Sequence, residues 1–219
     1  MKISFVVTGE GTSDLNLVSH LENILIEEGF LEVSGEAFDP SKLPYPIGHS
    51  VESKLNYIKR LYPSSDVIFV HRDADGSDHS LREKEIADAK NKSQLPIQVV
   101  PIIPVCMLET WLLADTTAIR RVAGNGNSAH LISSIPALSK LESIRNSKEV
   151  LQCALCEASQ HQGIKLKKFR RDINRLRSQL VLEINGDSNI SQLPSYQRLR
   201  NSVKSLARDF RENLAQRIR

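Results

Sequence analysis

Five acidic residues carry the clearest chemical signal in this chain, because each follows shortly after an apolar segment. They are Glu10, Asp14, Asp73, Asp75 and Glu109. Carboxylates gathered at one place repel one another unless a cation lies between them. Oxygen ligands of this kind are the ones that Mg²⁺ and Mn²⁺ prefer in proteins. The five carboxylates therefore predict a site for a hard divalent cation, Mg²⁺ above all.

Predicted strands place these acids at one edge of a sheet. The first strand, residues 3–8, ends just before Glu10, and a later strand, residues 66–71, ends just before Asp73. Glu109 lies in the helix that follows the last predicted strand. Ligand chemistry in open α/β sheets collects beyond the carboxyl ends of parallel strands. We therefore expect the acidic residues to share that edge.

Alternating strands and helices in residues 1–123 predict an α/β domain with a parallel sheet and helices on both faces. The predicted strands are residues 3–8, 31–38, 66–71 and 97–105, and the predicted helices are residues 15–28, 50–61, 81–92 and 106–121. Strand signals then stop. Residues 124–219 predict a basic helical region packed on the first domain, with helices at residues 130–141, 148–159, 165–182 and 196–218.

The Asp-Ala-Asp-Gly segment at residues 73–76 admits other interpretations. It is also a common turn sequence, so by itself it does not mark a site. An EF-hand calcium loop would need glycine in place of Asp78 and glutamate in place of Lys84, which excludes that motif. A phosphatase of the haloacid-dehalogenase type stays open, with Asp73 as the nucleophile and Asp75 as the acid two residues on.

Charge is divided unevenly along the chain. Residues 1–115 carry 10 Lys and Arg against 18 Asp and Glu, whereas residues 116–219 carry 19 against 8. Cationic clusters bind the phosphate backbone of nucleic acids without reading its sequence. The candidate nucleic-acid-binding residues are Lys165, Lys167, Lys168, Arg170, Arg171 and Arg175. A solvated helix face and a docking surface for an acidic partner protein are the alternative interpretations of this cluster.

The composition argues against several classes of protein. The longest apolar runs are too short and too interrupted to cross a bilayer, and the N-terminus lacks the pattern of a secretory signal peptide. Three cysteines, an odd number, argue against a secreted disulfide scaffold. We therefore expect a cytoplasmic protein without a membrane partner.

The acidic segments resemble the topoisomerase–primase, or Toprim, domain. That family has a glutamate after its first strand, here Gly-Glu-Gly at residues 9–11, and an Asp-x-Asp after a later strand, here residues 73–75. The closer resemblance is to a small stand-alone Toprim-like bacterial family of unknown function, through Pro-Val-Cys-Met-Leu-Glu-Thr-Trp-Leu-Leu-Ala-Asp at residues 104–115. Residues 147–151 and 193–196 resemble further segments of that family, so the resemblance covers most of the chain.

The resemblance implies a Toprim-like Rossmannoid sheet and Mg²⁺-dependent cleavage of phosphodiester bonds in DNA or RNA. Related nucleases of the overcoming-lysogenization-defect type act beside ATPase partners and often serve in defence against phages. It also implies that the five acidic residues together hold one or two divalent ions, Mg²⁺ or Mn²⁺. The catalytic residues that it implies are Glu10, Asp73, Asp75, Glu109 and Lys148. Glu10 would be the general acid or base, and Lys148 the basic residue near the scissile phosphate. Topoisomerase activity is not expected, because no tyrosine lies in a recognisable nucleophile motif.

We therefore expect a metal-dependent nuclease, with an ATPase partner and self-association into a homo-oligomer as further expectations. Two alternatives stay open. One is a catalytically inactive Toprim-like subunit that binds a partner ATPase, and the other is a metal-dependent phosphatase that acts through Asp73.

Overall fold

The computed structural model of the protein describes residues 1–76 and 78–218, without the side chains of residues 217 and 218. The chain divides into two compact units. The sheet unit comprises Met1–Arg72, His79–Ile103 and Gln197–Arg219, and the helical unit comprises Asp73–Asp78 and Pro104–Tyr196. This division differs from the predicted boundary at residue 123, because the C-terminal residues belong with the sheet and residues 104–123 belong with the helices.

Four parallel strands confirm the predicted α/β class. They are β1 (Lys2–Thr8), β2 (Glu32–Ala37), β3 (Val67–His71) and β4 (Gln98–Ile102). The order in the sheet is β2-β1-β3-β4, and every neighbouring pair is parallel. β3 is buried along its whole length, which requires cover on both faces of the sheet.

The connections of the sheet reverse direction between β1 and β3. The chain runs from β1 outward to β2, then returns past β1 to β3 and continues to β4. Thr8 lies beside Val70 in the β1–β3 ladder, so the two strands end at nearly the same level. Ligands of open parallel sheets bind outside the carboxyl ends of the strands at such a switch point. The residues that follow β1 and β3 therefore occupy the position where a binding site is expected.

Three helices of the sheet unit connect these strands. They are α1 (Leu17–Glu27), α2 (Val51–Leu61) and α3 (His79–Lys92). A 3₁₀ turn over Thr12–Asn16 precedes α1, so the α-helix begins later than predicted. Ser50 caps α2, because its side chain accepts a hydrogen bond from the Ser53 amide at 3.1 Å.

The helical unit has its own core around Trp111. Its helices are α4 (Glu109–Leu112), α5 (Thr116–Val122), α6 (Ser147–Ser159), α7 (Gly163–Arg171) and α8 (Ile173–Leu182), and the first residues of α9 (Pro194–Ile218) also belong to it. Trp111 is fully buried, and its Nε1 donates to the Ser195 hydroxyl at 2.7 Å. The ring of Tyr196 packs edge-on against it, with 5.3 Å between the ring centroids.

The rest of α9 packs within the sheet unit. The ring of Phe210 meets Phe30 edge-on, with 5.4 Å between the ring centroids. Arg200 forms ion pairs with Glu27 and Glu28 at the end of α1. No helix among the described residues combines the length and the apolar character needed to span a membrane.

Besides the later start of α1, three predicted helices differ from the structure in more than their bounds. The predicted helix 106–121 is divided, because the Asp115 side chain caps α5 by accepting from the Ala118 amide at 2.9 Å. The predicted helix 165–182 is likewise two helices, which meet at Asp172. The predicted helix 130–141 is wrong: a 3₁₀ turn at Leu138–Ser143 is the regular structure there. The proline at position 136 removes a backbone donor and disfavours an α-helix at this point.

Candidate functional site

The loop after β1 is folded around the carboxylate of Asp14. Asp14 is 3% exposed, and its Oδ2 accepts a hydrogen bond from the Gly11 amide at 3.0 Å. The Asp14 amide in turn donates to the Gly11 carbonyl at 3.2 Å. A Cβ at Gly9 would lie 2.9 Å from the Cβ of Asp14, so glycine is required for this close approach. Asp14, predicted as a metal ligand, thus shapes the loop that carries Glu10.

Asp14 also joins this loop to the end of β3. Its Oδ2 lies 3.3 Å from Nδ1 of His71, the last residue of that strand. The two side chains are 5% and 0% exposed. The contact fixes the loop after β1 against the neighbouring strand at the switch point.

Glu10 forms an ion pair with Arg72, the residue that follows β3. Its Oε1 lies 2.9 Å from Nη1 of Arg72, and the Glu10 side chain is 33% exposed. Nη2 of Arg72 lies 3.2 Å from Oε1 of Glu85, and Nη1 of Arg82 lies 2.9 Å from Oε2 of the same carboxylate. These alternating charges hold Glu10 at the carboxyl ends of β1 and β3, as the sequence predicted.

Lys54 of α2 is a candidate functional residue that the sequence analysis missed. It is 7% exposed, and its Nζ donates to the Gly9 carbonyl at 2.6 Å. Burial, and to a smaller extent the nearby Arg72 guanidinium, lowers the pKa of Lys54 below its usual 10.5, although neighbouring carboxylates such as Glu10 oppose this shift. A buried ammonium beside the loop of Glu10 is typical of a functional site rather than of a core.

The sequence contained a signal for Lys54. Helical spacing places residue 54 on the same face of α2 as Val51, Leu55 and Ile58, all of which are buried. Lysine is almost never fully buried unless it is paired. A lysine inside an apolar helical stripe was therefore the pattern to notice.

A cavity of about 450 Å³ adjoins the same loop within the sheet unit. Its walls are residues 9–12, residue Leu15, Lys54 and most of the segment between residues 39 and 49 that follows β2. The volume lies within the range of small-molecule binding sites, about 300–1,000 Å³. The cavity therefore places a ligand-sized space next to Glu10.

In the helical unit, backbone hydrogen bonds fix the loop that carries Asp73 and Asp75. Three consecutive amides, from residues 74–76, donate to carbonyls of residues 104–106 over 3.0 to 3.1 Å. Oδ1 of Asp73 accepts from the Leu108 amide at 3.1 Å. Asp75 has a φ of 52°, in the left-handed region that aspartate tolerates better than most residues. In this loop Asp73 is partly exposed and Asp75 is exposed.

Cys106 lies close to this loop, and the carboxylates of the loop affect the pKa of its thiol. Burial, with the carboxylates of Asp73 and Asp75, raises the pKa of the Cys106 thiol above its usual 9.0. A thiol held in this protonated form is a poor nucleophile at neutral pH. Cys106 therefore serves packing in this loop.

Glu109 is paired with Arg177 of α8 inside the helical unit. Oε1 of Glu109 lies 2.6 Å from Nε of Arg177, and the two side chains are 3% and 19% exposed. A buried carboxylate needs such a partner to offset its desolvation. Glu109, predicted as a metal ligand, thus has a structural counter-ion.

Lys148, the predicted basic residue near the scissile phosphate, lies exposed in the first turn of α6.

The predicted metal ligands are divided between the two units. Glu10 and Asp14 belong to the sheet unit, whereas Asp73, Asp75 and Glu109 belong to the helical unit. Within each unit, the His, Cys, Asp and Glu side chains that the structure describes form no group of three or more that could hold a metal ion. The five-carboxylate site therefore stays a prediction.

The predicted nucleic-acid-binding residues are all exposed. Lys165, Lys167, Lys168, Arg170 and Arg171, which we call the α7 cluster, lie on a helix without buried residues, and Arg175 follows on α8. Several cations of α9 have structural partners instead. Arg200 is paired with two glutamates, and Arg211 donates to the Glu28 carbonyl at 3.2 Å. The α7 cluster therefore places five exposed cations on one short helix.

No protein-family model matches this chain, and no curated protein or solved structure gives a significant match. The Toprim-like resemblance of the acidic segments therefore stays a prediction from the residues themselves.

The accessible acids have the chemistry that a hard divalent cation requires. Glu10, Asp73 and Asp75 are partly or fully exposed and offer only oxygen ligands, which suits Mg²⁺ or Mn²⁺. Asp14 and Glu109 are buried and contact protein groups. The chemistry of the first three side chains therefore fits the predicted ions, whereas Asp14 and Glu109 serve contacts within their own units.

Proposed function

We propose that this protein is a metal-dependent nuclease that hydrolyses phosphodiester bonds in DNA or RNA. The observation that carries the proposal is the position of the acidic segments. Glu10 follows β1 and Asp73 follows β3 in the chain, and these are the two strands that flank the switch point of the sheet. Parallel sheets place ligand chemistry beyond those strand ends.

Glu10, Asp73 and Asp75 would hold one or two Mg²⁺ or Mn²⁺ ions. A bound ion of this kind lowers the pKa of its water and stabilises the leaving oxygen of a phosphodiester. Glu10 would also be the general acid or base, as the Toprim-like resemblance implies, and its side chain is 33% exposed. Asp14 shapes the loop of Glu10 through its contacts with Gly11.

Other residues would contact the nucleic-acid substrate, and a partner protein is also proposed. The α7 cluster binds the phosphate backbone, because its cations are exposed on one helix. Lys148 is the basic residue near the scissile phosphate, on the Toprim-like resemblance. The same resemblance supports an ATPase partner protein and a role in defence against phages.

The test is cleavage of labelled single-stranded DNA, duplex DNA, RNA and transfer RNA by the full chain with Mg²⁺, Mn²⁺ or EDTA. We expect cleavage of at least one substrate with a divalent ion and none in EDTA. Asp73→Asn should abolish cleavage and leave the fold intact, because asparagine keeps an Oδ1 that accepts from the Leu108 amide. Equal cleavage by the wild type and Asp73→Asn would contradict the proposal.

A catalytically inactive subunit that binds a partner ATPase is the second candidate. The ion pairs Glu10–Arg72 and Glu109–Arg177 favour it, since each carboxylate already has a cationic partner within its unit. This candidate predicts no cleavage with any divalent ion. Turnover of a small phosphate monoester that Asp73→Asn abolishes, without cleavage of nucleic acid, would instead identify a phosphatase.

A further inference from the structure

Lys54 brings a positive charge to the cavity, and although Glu10, Asp14 and Glu85 act on it electrostatically, none of the described carboxylates forms an ion pair with it. Among the described residues, the carbonyl of Gly9 is its hydrogen-bond acceptor, and no ion pair accompanies it. An ammonium has three N–H donors, so this single contact leaves donors for another acceptor. A buried charge is costly unless it is compensated. Lys54 therefore suits an anionic ligand in the cavity that it lines.

The two carboxylates that line the cavity are engaged by other protein groups. Glu10 is paired with Arg72 at 2.9 Å. Oδ1 of Asp39 accepts from the amide and the hydroxyl of Ser41 at 2.9 and 2.7 Å. Arg72 thus offsets the charge of Glu10, and the hydrogen bonds from Ser41 occupy one oxygen of Asp39.

Part of the cavity lining is apolar and aromatic. Leu43, Pro44, Tyr45, Pro46 and Ile47 form it, and Tyr45 is 56% exposed. Nucleic-acid bases stack on accessible aromatic rings, a contact worth about 1–3 kcal/mol per base. The lining thus includes side chains that suit a flat ring and, at Lys54, a donor that suits a phosphate.

The cavity has the size of a site for one small ligand such as a mononucleotide. Its volume of about 450 Å³ is near the lower end of small-molecule sites. A base in a duplex is stacked and paired, and it enters such a space only after leaving its partner. An unpaired nucleotide enters without that cost.

We infer that this cavity binds one unpaired nucleotide, with its phosphate at Lys54 and its base against Tyr45, and that the substrate is single-stranded nucleic acid. The part that concerns the substrate rests on the proposed nuclease function. The part that concerns nucleotide binding does not, because it follows from the cavity and the residues that line it.

Binding of adenosine 5′-monophosphate and of adenosine to the full chain, measured by calorimetry in EDTA, tests the cavity. We expect saturable binding of the monophosphate, and binding of adenosine that is at least about tenfold weaker, the factor that corresponds to 1.4 kcal/mol. Lys54→Met should weaken monophosphate binding at least about tenfold and leave adenosine binding nearly unchanged. Tyr45→Ala should weaken the binding of both compounds.

Two matched variants control for nonspecific effects. Lys84→Met changes an exposed lysine of α3, and Tyr57→Ala changes a tyrosine of α2 that does not line the cavity. Both should bind the monophosphate like the wild type. Because Tyr45 is exposed, Tyr45→Ala keeps the test valid even if Lys54→Met folds poorly. Unchanged binding in Tyr45→Ala, or equal affinity of the wild type for the two compounds, overturns the inference.

Cleavage rates of a single strand and of the same strand in a duplex separate this inference from the nuclease proposal. The inference predicts that the single strand is cleaved at least about tenfold faster. Equal rates would overturn it while the nuclease proposal stands. Monophosphate binding that depends on Lys54, without any cleavage, would support the cavity assignment and contradict the nuclease.

Discussion

Arg177 compensates the charge of Glu109 in the interior of the helical unit. Their closest nitrogen and oxygen atoms are 2.6 Å apart, and the glutamate side chain is 3% exposed. Removing one partner of a buried pair leaves an uncompensated charge and costs about 3–5 kcal/mol. We expect Glu109→Gln to lower the free energy of unfolding by about 3 kcal/mol, the low end of this range because Arg177 is 19% exposed. Urea denaturation measures this loss.

The double variant Glu109→Gln/Arg177→Met is the control for that substitution. It removes both charges, so it should recover part of the stability that Glu109→Gln loses. If Glu109→Gln instead kept the wild-type stability and lost only metal binding, Glu109 would be a ligand rather than a structural residue.

Among single residues, the place of a side chain in the fold was easier to predict from the sequence than the residue that it contacts. Glu10 was expected after β1 and lies there, because the strand and the glycine-flanked loop are local features. The partners Arg72 and Arg177 were not assigned, because the pairs join residues that are 62 and 68 positions away from Glu10 and Glu109 along the chain. Lys54 was missed although its helical spacing already marked it as unusual.

At the scale of elements, Glu157 of α6 fixes a segment that is not helical. Its carboxylate accepts from the Ser133 amide and hydroxyl at 2.7 and 2.8 Å and from the Ser134 amide at 3.0 Å. Burial alone would raise the pKa of Glu157, but these hydrogen bonds outweigh it and lower the pKa from 4.5 to about 2. The ionised form therefore stabilises this part of the fold.

Glu157→Gln should reduce stability in a pH-dependent manner. Because the pKa of Glu157 is lower in the folded than in the unfolded chain, its contribution is complete above about pH 4.5 and disappears as the pH falls through about 2. We expect a loss of about 1 kcal/mol at pH 7, since hydrogen bonds to an accessible charge are screened by solvent. Urea denaturation from pH 7 to pH 2 measures it. A difference that stays constant over this range would contradict this account.

The same segment explains why one predicted helix was wrong. Apolar spacing in residues 130–141 favoured a helix, but Ser133 and Ser134 donate their amides to Glu157 instead of to a helical turn. Asp115 interrupts another predicted helix in a similar way, by capping α5 with its side chain. The strands were easier to predict, because buried parallel strands are continuous apolar runs.

At the scale of the whole molecule, the excess of basic residues in the C-terminal half has two uses. Arg177 pairs with the buried Glu109, and Arg200 pairs with Glu27 and Glu28 at the end of α1. The α7 cluster remains exposed and is the part that we expect to bind phosphates. Net charge alone could not separate these uses, because the partners are set by tertiary packing.

The triple variant Lys165→Gln/Lys167→Gln/Lys168→Gln tests the α7 cluster. Each lysine that no longer neutralises a phosphate reduces the slope of log K against log salt concentration by about 0.7 for a single strand. We expect a reduction of about 2 and weaker binding, without loss of stability, because α7 has no buried residue. A salt titration by filter binding measures the slope.

The matched variant removes three exposed lysines elsewhere, Lys42, Lys84 and Lys204, by the same substitution. It lowers the net charge equally, so its slope should remain close to that of the wild type. If both triple variants changed the slope by the same amount, the effect would come from net charge, and the α7 cluster would not be the binding surface.

The rate of Mn²⁺-dependent cleavage by Glu10→Gln shows whether Glu10 takes part in phosphodiester hydrolysis. Glu83→Gln, which changes an exposed glutamate of α3, is the matched control. We predict that Glu10→Gln cleaves at least about 100-fold more slowly than the wild type, the low end of general acid–base contributions. Both variants should melt near the wild-type temperature, since the Glu10 side chain is 33% exposed. A wild-type cleavage rate in Glu10→Gln would contradict the account.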